Sequence, residues 1–180
     1  MTHARSAAAS PERGRRRSPY DGTVGAFRSW LVPELDVSDL DTSLAFYGLL
    51  GFAVLYTRAE ERFAYLELDG VNLMIEEADG PGRRFRTAPL EYPFGRGINF
   101  QIEVSHVDRV LERVMVGGHA PLIPMEERWY KTDRGLAGNR QFVVADPDGY
   151  LLRFFQDLGV RPDQVSPSKP PPPQALGELA

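Results

Sequence analysis

Val37-Ser38-Asp39-Leu40-Asp41-Thr42-Ser43-Leu44-Ala45-Phe46-Tyr47-Gly48-Leu49-Leu50-Gly51-Phe52 is the stretch from which the fold is read. Leu40, Leu44, Tyr47 and Leu50 recur at helical spacing and predict a helix over residues 40–50. Ser38 is placed to cap it, and Asp39 and Asp41 set negative charge at the positive end of the helix dipole. Gly51 stops the helix as a left-handed C-terminal glycine does. Upstream, residues 31–37 read as a strand. Downstream, residues 52–57, 63–68 and 71–76 read as three more, the last two joined by the hairpin signal Asp69-Gly70.

The same order then returns. In residues 97–104, Ile98, Phe100, Ile102 and Val104 alternate, as they do on one face of a half-buried strand. Residues 107–116 form an amphipathic helix closed by Gly117-Gly118, residues 121–131 are extended, and residues 140–145 form a strand. Asp146-Pro147-Asp148-Gly149 turns the chain into a last strand over 150–155. Phe63 before Asp69-Gly70 is echoed by Phe142 before Asp148-Gly149, so the chain is read as a duplicated unit. The expected class is α+β, with two βαβββ modules over 30–78 and 96–157, joined by a Gly/Arg/Pro-rich linker over 79–95.

Charge separates this body from the ends of the chain. Residues 1–28 hold six arginines against Glu12 and Asp21, whereas residues 29–156 carry a net −7. An acidic body repels nucleic-acid phosphates and attracts cations. The basic run Arg13 to Arg17 is followed by no apolar segment, so a secretory signal is not expected, and no stretch is long and apolar enough to span a membrane. A cytoplasmic protein is expected, with no nucleic-acid or membrane partner. Residues 1–28 and the Pro-rich residues 158–180 read as disordered tails. Cysteine is absent, which excludes disulfides, thiolate metal sites and cysteine nucleophiles. Ser29, Ser38, Ser43 and Ser105 lack a neighbouring His/Asp arrangement, and no phosphate loop is present.

The duplication, with Val37-Ser38-Asp39-Leu40, Ser43, Phe46-Tyr47, Leu50-Gly51-Phe52 and Asp146-Pro147-Asp148-Gly149-Tyr150, resembles the vicinal-oxygen-chelate superfamily of glyoxalases, dioxygenases and bleomycin-resistance proteins. The resemblance covers residues 30–157. It implies two modules whose mixed sheet curves into a cup, with grooves shared between the protomers of a homodimer. It also implies metal-ligand positions at Val32, Asn99 and Arg153. Valine has no donor atom and arginine repels a cation; one acidic position, Glu76 or Glu77, does not make a site. His106 and His119 fall at helix ends, away from these strands. No metal or other cofactor is expected.

Loss of the metal positions is similar to the bleomycin-resistance branch, which holds a drug and performs no chemistry. Val32-Pro33-Glu34-Leu35 looks like that branch's first strand, Arg62-Phe63-Ala64 like its acid-aromatic-Ala segment, and Arg140-Gln141-Phe142 like its Arg-Glu-Phe strand. Phe63 matches an aromatic that stacks on the drug. The branch's second stacking residue falls on Gly138 or Asn139, which leaves that surface to Trp129-Tyr130. A cationic aromatic ligand needs ring faces and carboxylates. The residues expected to bind it are Phe63, Trp129, Tyr130, Glu34, Asp36, Glu67, Asn99, Glu103 and Arg140. Phe63 and Trp129 have a plain alternative as core aromatics, and the acids as the wet face of a sheet. A second class of function is a metal-free enzyme on the same scaffold, with Glu34, Glu67 or Glu103 as the acid/base group.

Overall fold

The computed structural model describes residues 31–163, so the N-terminal tail and residues 164–180 of the C-terminal tail lie outside the described residues. The first module runs β1 (Glu34–Val37), α1 (Leu40–Leu50), β2 (Ala53–Arg58), β3 (Phe63–Leu68) and β4 (Val71–Glu77). The second runs β5 (Asn99–Glu103), α2 (Val107–Val116), β6 (Ile123–Thr132), β7 (Gly135–Ala145) and β8 (Leu151–Arg161). Each module makes a four-stranded mixed sheet, in the orders β1-β4-β3-β2 and β5-β8-β7-β6. The first strand of each lies parallel to the last, and the remaining pairs are antiparallel. The expected class and module architecture are those observed.

Helix α1 starts one residue later than Ser38 would place it. Asp39 is the cap, with an extended backbone and a carboxylate accepting from the Thr42 amide at 2.7 Å. The Ser38 amide instead donates to Asp148 across the module boundary at 3.1 Å. Glu77 of β4 adds a second anion at the same helix end, accepting from the Leu40 amide at 3.1 Å and from Arg62 at 2.7 Å. Gly51 closes the helix at φ 107°, its amide directed at the carbonyls of Gly48 and Tyr47. The buried face of α1 carries Leu40, Ser43, Phe46, Tyr47 and Leu50.

Each helix turns one face into a single continuous core that both sheets share. Leu35, Val37, Leu66 and Ile75 of the first sheet and Ile102, Phe142, Leu152 and Phe154 of the second join this core with Val107, Val110 and Val114 of α2. Each such fully buried aliphatic or aromatic side chain contributes roughly 1.5–3 kcal/mol relative to exposure. A polar lock crosses the same boundary. Tyr47 Oη of α1 donates to Asp146 Oδ2 at 2.9 Å, and Asp146 Oδ1 accepts from the amides of Asp148 and Tyr150 at 3.0 and 2.8 Å. The linker joins it, the Phe94 amide donating to the Asp148 carbonyl at 2.8 Å. Gly149 has φ 85° and presses on Pro93 where a Cβ would stand, so glycine is required there.

The second sheet is longer than its sequence suggests. β7 begins at Gly135 and β8 continues to Arg161, past the expected start of the tail at residue 158. Gly135, Gly138 and Gly159 read as loop residues. Gly138 accommodates the Trp129 ring, and Gly159 sits at φ 80° in an irregularity of the β7–β8 ladder.

Burial pushes the Asp146 carboxyl up to about 6 from its ordinary 3.8, against the lowering pull of its hydrogen bonds from Tyr150 and Tyr47. The folded state therefore holds a proton that the unfolded chain releases. This contribution to stability is complete below about pH 4 and is lost as pH rises through about 6. Denaturant titration is expected to find the protein less stable at pH 8 than at pH 5 by an amount of the order of 1 kcal/mol from this group, and Asp146→Asn to abolish that difference. Tyr47→Phe leaves a buried carboxylate oxygen short of its donor and is expected to cost about 1–3 kcal/mol in the same titration at pH 7.

Candidate functional site

Strand alternation decides which side chains face away from the helices. Leu35 and Val37 on β1, Ala64 and Leu66 on β3, and Leu73 and Ile75 on β4 enter the core. Their neighbours Glu34, Asp36, Phe63, Tyr65, Glu67, Met74 and Glu76 therefore share the opposite face of the first sheet. By the same parity Asn99, Gln101 and Glu103 on β5, Arg153 and Phe155 on β8, Gln141 on β7, and Glu126 and Tyr130 on β6 share the outer face of the second. Between the sheets lies a cavity of about 320 Å³, lined by Pro33, Asn72, Asn99, Phe100, Gln101 and Ile102 among others.

Of the expected ligand residues, Phe63, Glu34, Asp36, Glu67, Asn99, Glu103 and Tyr130 lie on these outer faces. Trp129 and Arg140 do not. Trp129 pairs with Gly138 and Glu127 with Arg140, in the row that continues to the core residue Phe142. Trp129 lies over Gly138 with the Arg161 guanidinium 3.8 Å from its ring centroid. Arg140 forks onto Asp108 of α2 at 2.6 and 3.1 Å, which holds the Asp108 carboxyl below its usual range. Both are therefore structural contacts of the helix side. Adjacent strand residues point to opposite faces, so the Trp129-Tyr130 pair divides between helix and ligand sides.

Phe63 faces outward but is 0% exposed. The Arg58 guanidinium covers its ring at 3.7 Å, and Tyr56 stands 5.9 Å away while stacking on Tyr65 at 5.2 Å and 10°. Tyr56, 38% exposed, presents the aromatic surface that Phe63 was expected to offer. On the second sheet Tyr130 Oη donates to Gln141 Oε1 at 3.3 Å, while Gln141 Nε2 donates to Glu126 at 3.1 Å. Tyr130 stays 41% exposed.

The linker modifies the expected acidic surface. Arg86 forks onto Asp36 at 2.7 and 3.0 Å, and Arg84 reaches buried Glu76 at 2.8 Å. Burial raises the Glu76 carboxyl, although Arg84 opposes it. Glu67 accepts from the Gly70 amide at 2.6 Å and closes its own hairpin. Glu34 and Glu103 are exposed, without the burial that an acid/base role demands. Nothing in the sequence of the linker, read as a loop, tied Arg84 and Arg86 to the sheet.

The residues present do not fit a divalent metal ion. Val32 offers no donor, Arg153 is cationic, Glu76 is held by Arg84, and Glu77 is bound to Arg62 and the α1 N-terminus. Among the described residues no three His, Asp or Glu side chains converge. No helix among them is long and apolar enough to cross a membrane.

No family model matches the chain. Bleomycin resistance proteins of Geobacillus stearothermophilus and Staphylococcus aureus are 29% identical to it over 135 residues, which is 71% of this chain and 96% of theirs. The solved structure of TioX from Micromonospora sp. ML1, 24% identical, covers 72% of this chain and 99% of its own with a TM-score of 0.55, a likeness of fold. A glyoxalase/bleomycin resistance protein/dioxygenase superfamily member from Vibrio splendidus 12B01 is 37% identical, covering 69% of this chain and 95% of its own, with a TM-score of 0.33. The chain is thus similar in sequence to bleomycin resistance proteins and in fold to TioX.

Proposed function

We propose that this protein binds and sequesters a flat aromatic antibiotic of the bleomycin type without altering it chemically, and that it does so in the cytoplasm. The observation that carries the reading is the pair of outer sheet faces: exposed Tyr56 shares one face with Glu34, and exposed Tyr130 shares the other with Glu103 and Glu126, with no metal-binding set among the described residues. Tyrosines offer ring faces for stacking, and the carboxylates receive a cationic tail. Kinship with bleomycin resistance proteins supports the same reading.

The ligand groove is shared between two protomers in this proposal. Among the described residues β2 is the edge strand of its sheet and is exposed along its whole length, with Val54 and Leu55 at the surface. An exposed apolar edge strand of this kind suits pairing with a second copy of the chain. Light scattering at micromolar concentration is expected to give about twice the 20.2 kDa chain mass; a monomer overturns the shared groove.

Calorimetric titration with a bleomycin-type compound, metal-free and copper-loaded, is expected to give saturable binding that weakens as salt screens the acidic body. Mass spectrometry is expected to recover the compound unchanged. Undetectable binding at low salt, or a modified product, overturns sequestration. Tyr56→Ala and Tyr130→Ala are expected to lower affinity several-fold, the size of a lost stacking contact, with only a small shift in melting temperature. Phe63→Ala is expected to act on the fold instead, costing about 3–5 kcal/mol by denaturant titration, because its ring is buried under Arg58.

A further inference from the structure

Arg153 stands in the middle of the outer face of the second sheet, paired in register with Gln101 on one side and Val143 on the other. Leu151 and Phe155 flank it on the same face of β8. Its Nη2 donates to the Gln101 side-chain oxygen, a neutral acceptor. Like Arg83, Arg109, Arg113, Arg134 and Arg161 it makes no ion pair among the described residues, whereas Arg58, Arg62, Arg84, Arg86, Arg96, Arg128 and Arg140 each meet a carboxylate. Its Nε is buried and has no hydrogen-bond partner. A buried donor left unpaired is costly and uncommon, so the guanidinium has hydrogen-bonding capacity that the described residues do not use.

A cation in this setting favours one chemistry. The guanidinium is a planar fork that matches a carboxylate in two parallel hydrogen bonds, and partial burial strengthens the attraction. Phe155 and Leu151 supply an apolar platform for a ring attached to that carboxylate. The exposed Gln101 and Asn99, which also line the cavity between the sheets, leave an open approach. A divalent ion is excluded from the same place by charge.

We propose that Arg153 is an anion anchor within the groove, binding the carboxylate of an aromatic ligand where a metal-dependent relative would use a cation. The ligand class thereby extends to aromatic carboxylates and to zwitterions that carry one. The inference rests on the outer sheet face being the ligand surface, as proposed above, but not on the antibiotic being of the bleomycin type.

The test titrates the full chain with 2-naphthoate and with its neutral isostere 2-naphthamide, alongside the bleomycin-type compound. Naphthoate is expected to bind at least about tenfold more tightly than naphthamide, the scale of a charge-assisted hydrogen bond. Arg153→Gln and Arg153→Met are expected to erase that preference, Arg153→Lys to retain part of it, and thermal melting to be held or raised in Arg153→Met, which removes the orphan donor. Equal affinity for the two probes, a preference that survives Arg153→Gln, or no naphthoate binding up to about 10 mM overturns the proposal. Naphthoate binding that depends on Arg153 without binding of the bleomycin-type compound overturns sequestration alone; the converse overturns the anion anchor alone.

Discussion

The buried contact between Tyr47 and Asp146 joins the two halves of the molecule. One carboxylate takes a phenol proton donor from the first helix and two amides of its own turn, and the neighbouring Asp148 accepts from Ser38. The Asp146-Pro147-Asp148-Gly149 turn is thus the place where the first module, the linker and the last strand meet. Moving any one of these elements strands a buried polar group, so the relative placement of the modules is specified more tightly than apolar packing alone would require.

That placement decides what remains exposed. With the helices packed against the core face of the sheets, the opposite sheet faces are the surfaces on which polar and aromatic side chains gather. The linker then alters their charge. Arg84 and Arg86 neutralise Glu76 and Asp36, so the acidity of the body does not carry through to this face as an uninterrupted negative surface. What faces outward is mixed: tyrosine rings, the carboxylates of Glu34 and Glu103, and the cation of Arg153. A surface of this kind suits a ligand with both apolar area and charged groups of either sign.

Much of the architecture was legible in the chain. Helix periodicity, Gly51, Asp69-Gly70 and the repeated element order each act locally, through backbone conformation and the burial of one face, and local causes leave local marks in sequence. The extension of β7 and β8 was not legible, because Gly135, Gly138 and Gly159 are turn residues by propensity and their strand conformation depends on partners across the sheet. Ser38 and Asp39 are both good caps by residue type, and the role falls to Asp39 because Ser38 is held by Asp148, 110 residues away.

The sequence by itself determined the two modules, the parity of each strand and therefore the faces on which Glu34, Asp36, Glu67, Asn99, Glu103 and Tyr130 lie. Parity is fixed by the backbone once a strand is recognised. Only the tertiary structure decided that Trp129 and Arg140 face the helix, that Arg58 covers Phe63, that Arg84 and Arg86 fold back onto the first sheet, and that Arg153 remains without a carboxylate. These outcomes depend on register and on which long side chains meet across a gap. Such meetings are settled by distances in space, on which the order of residues along the chain places no direct mark.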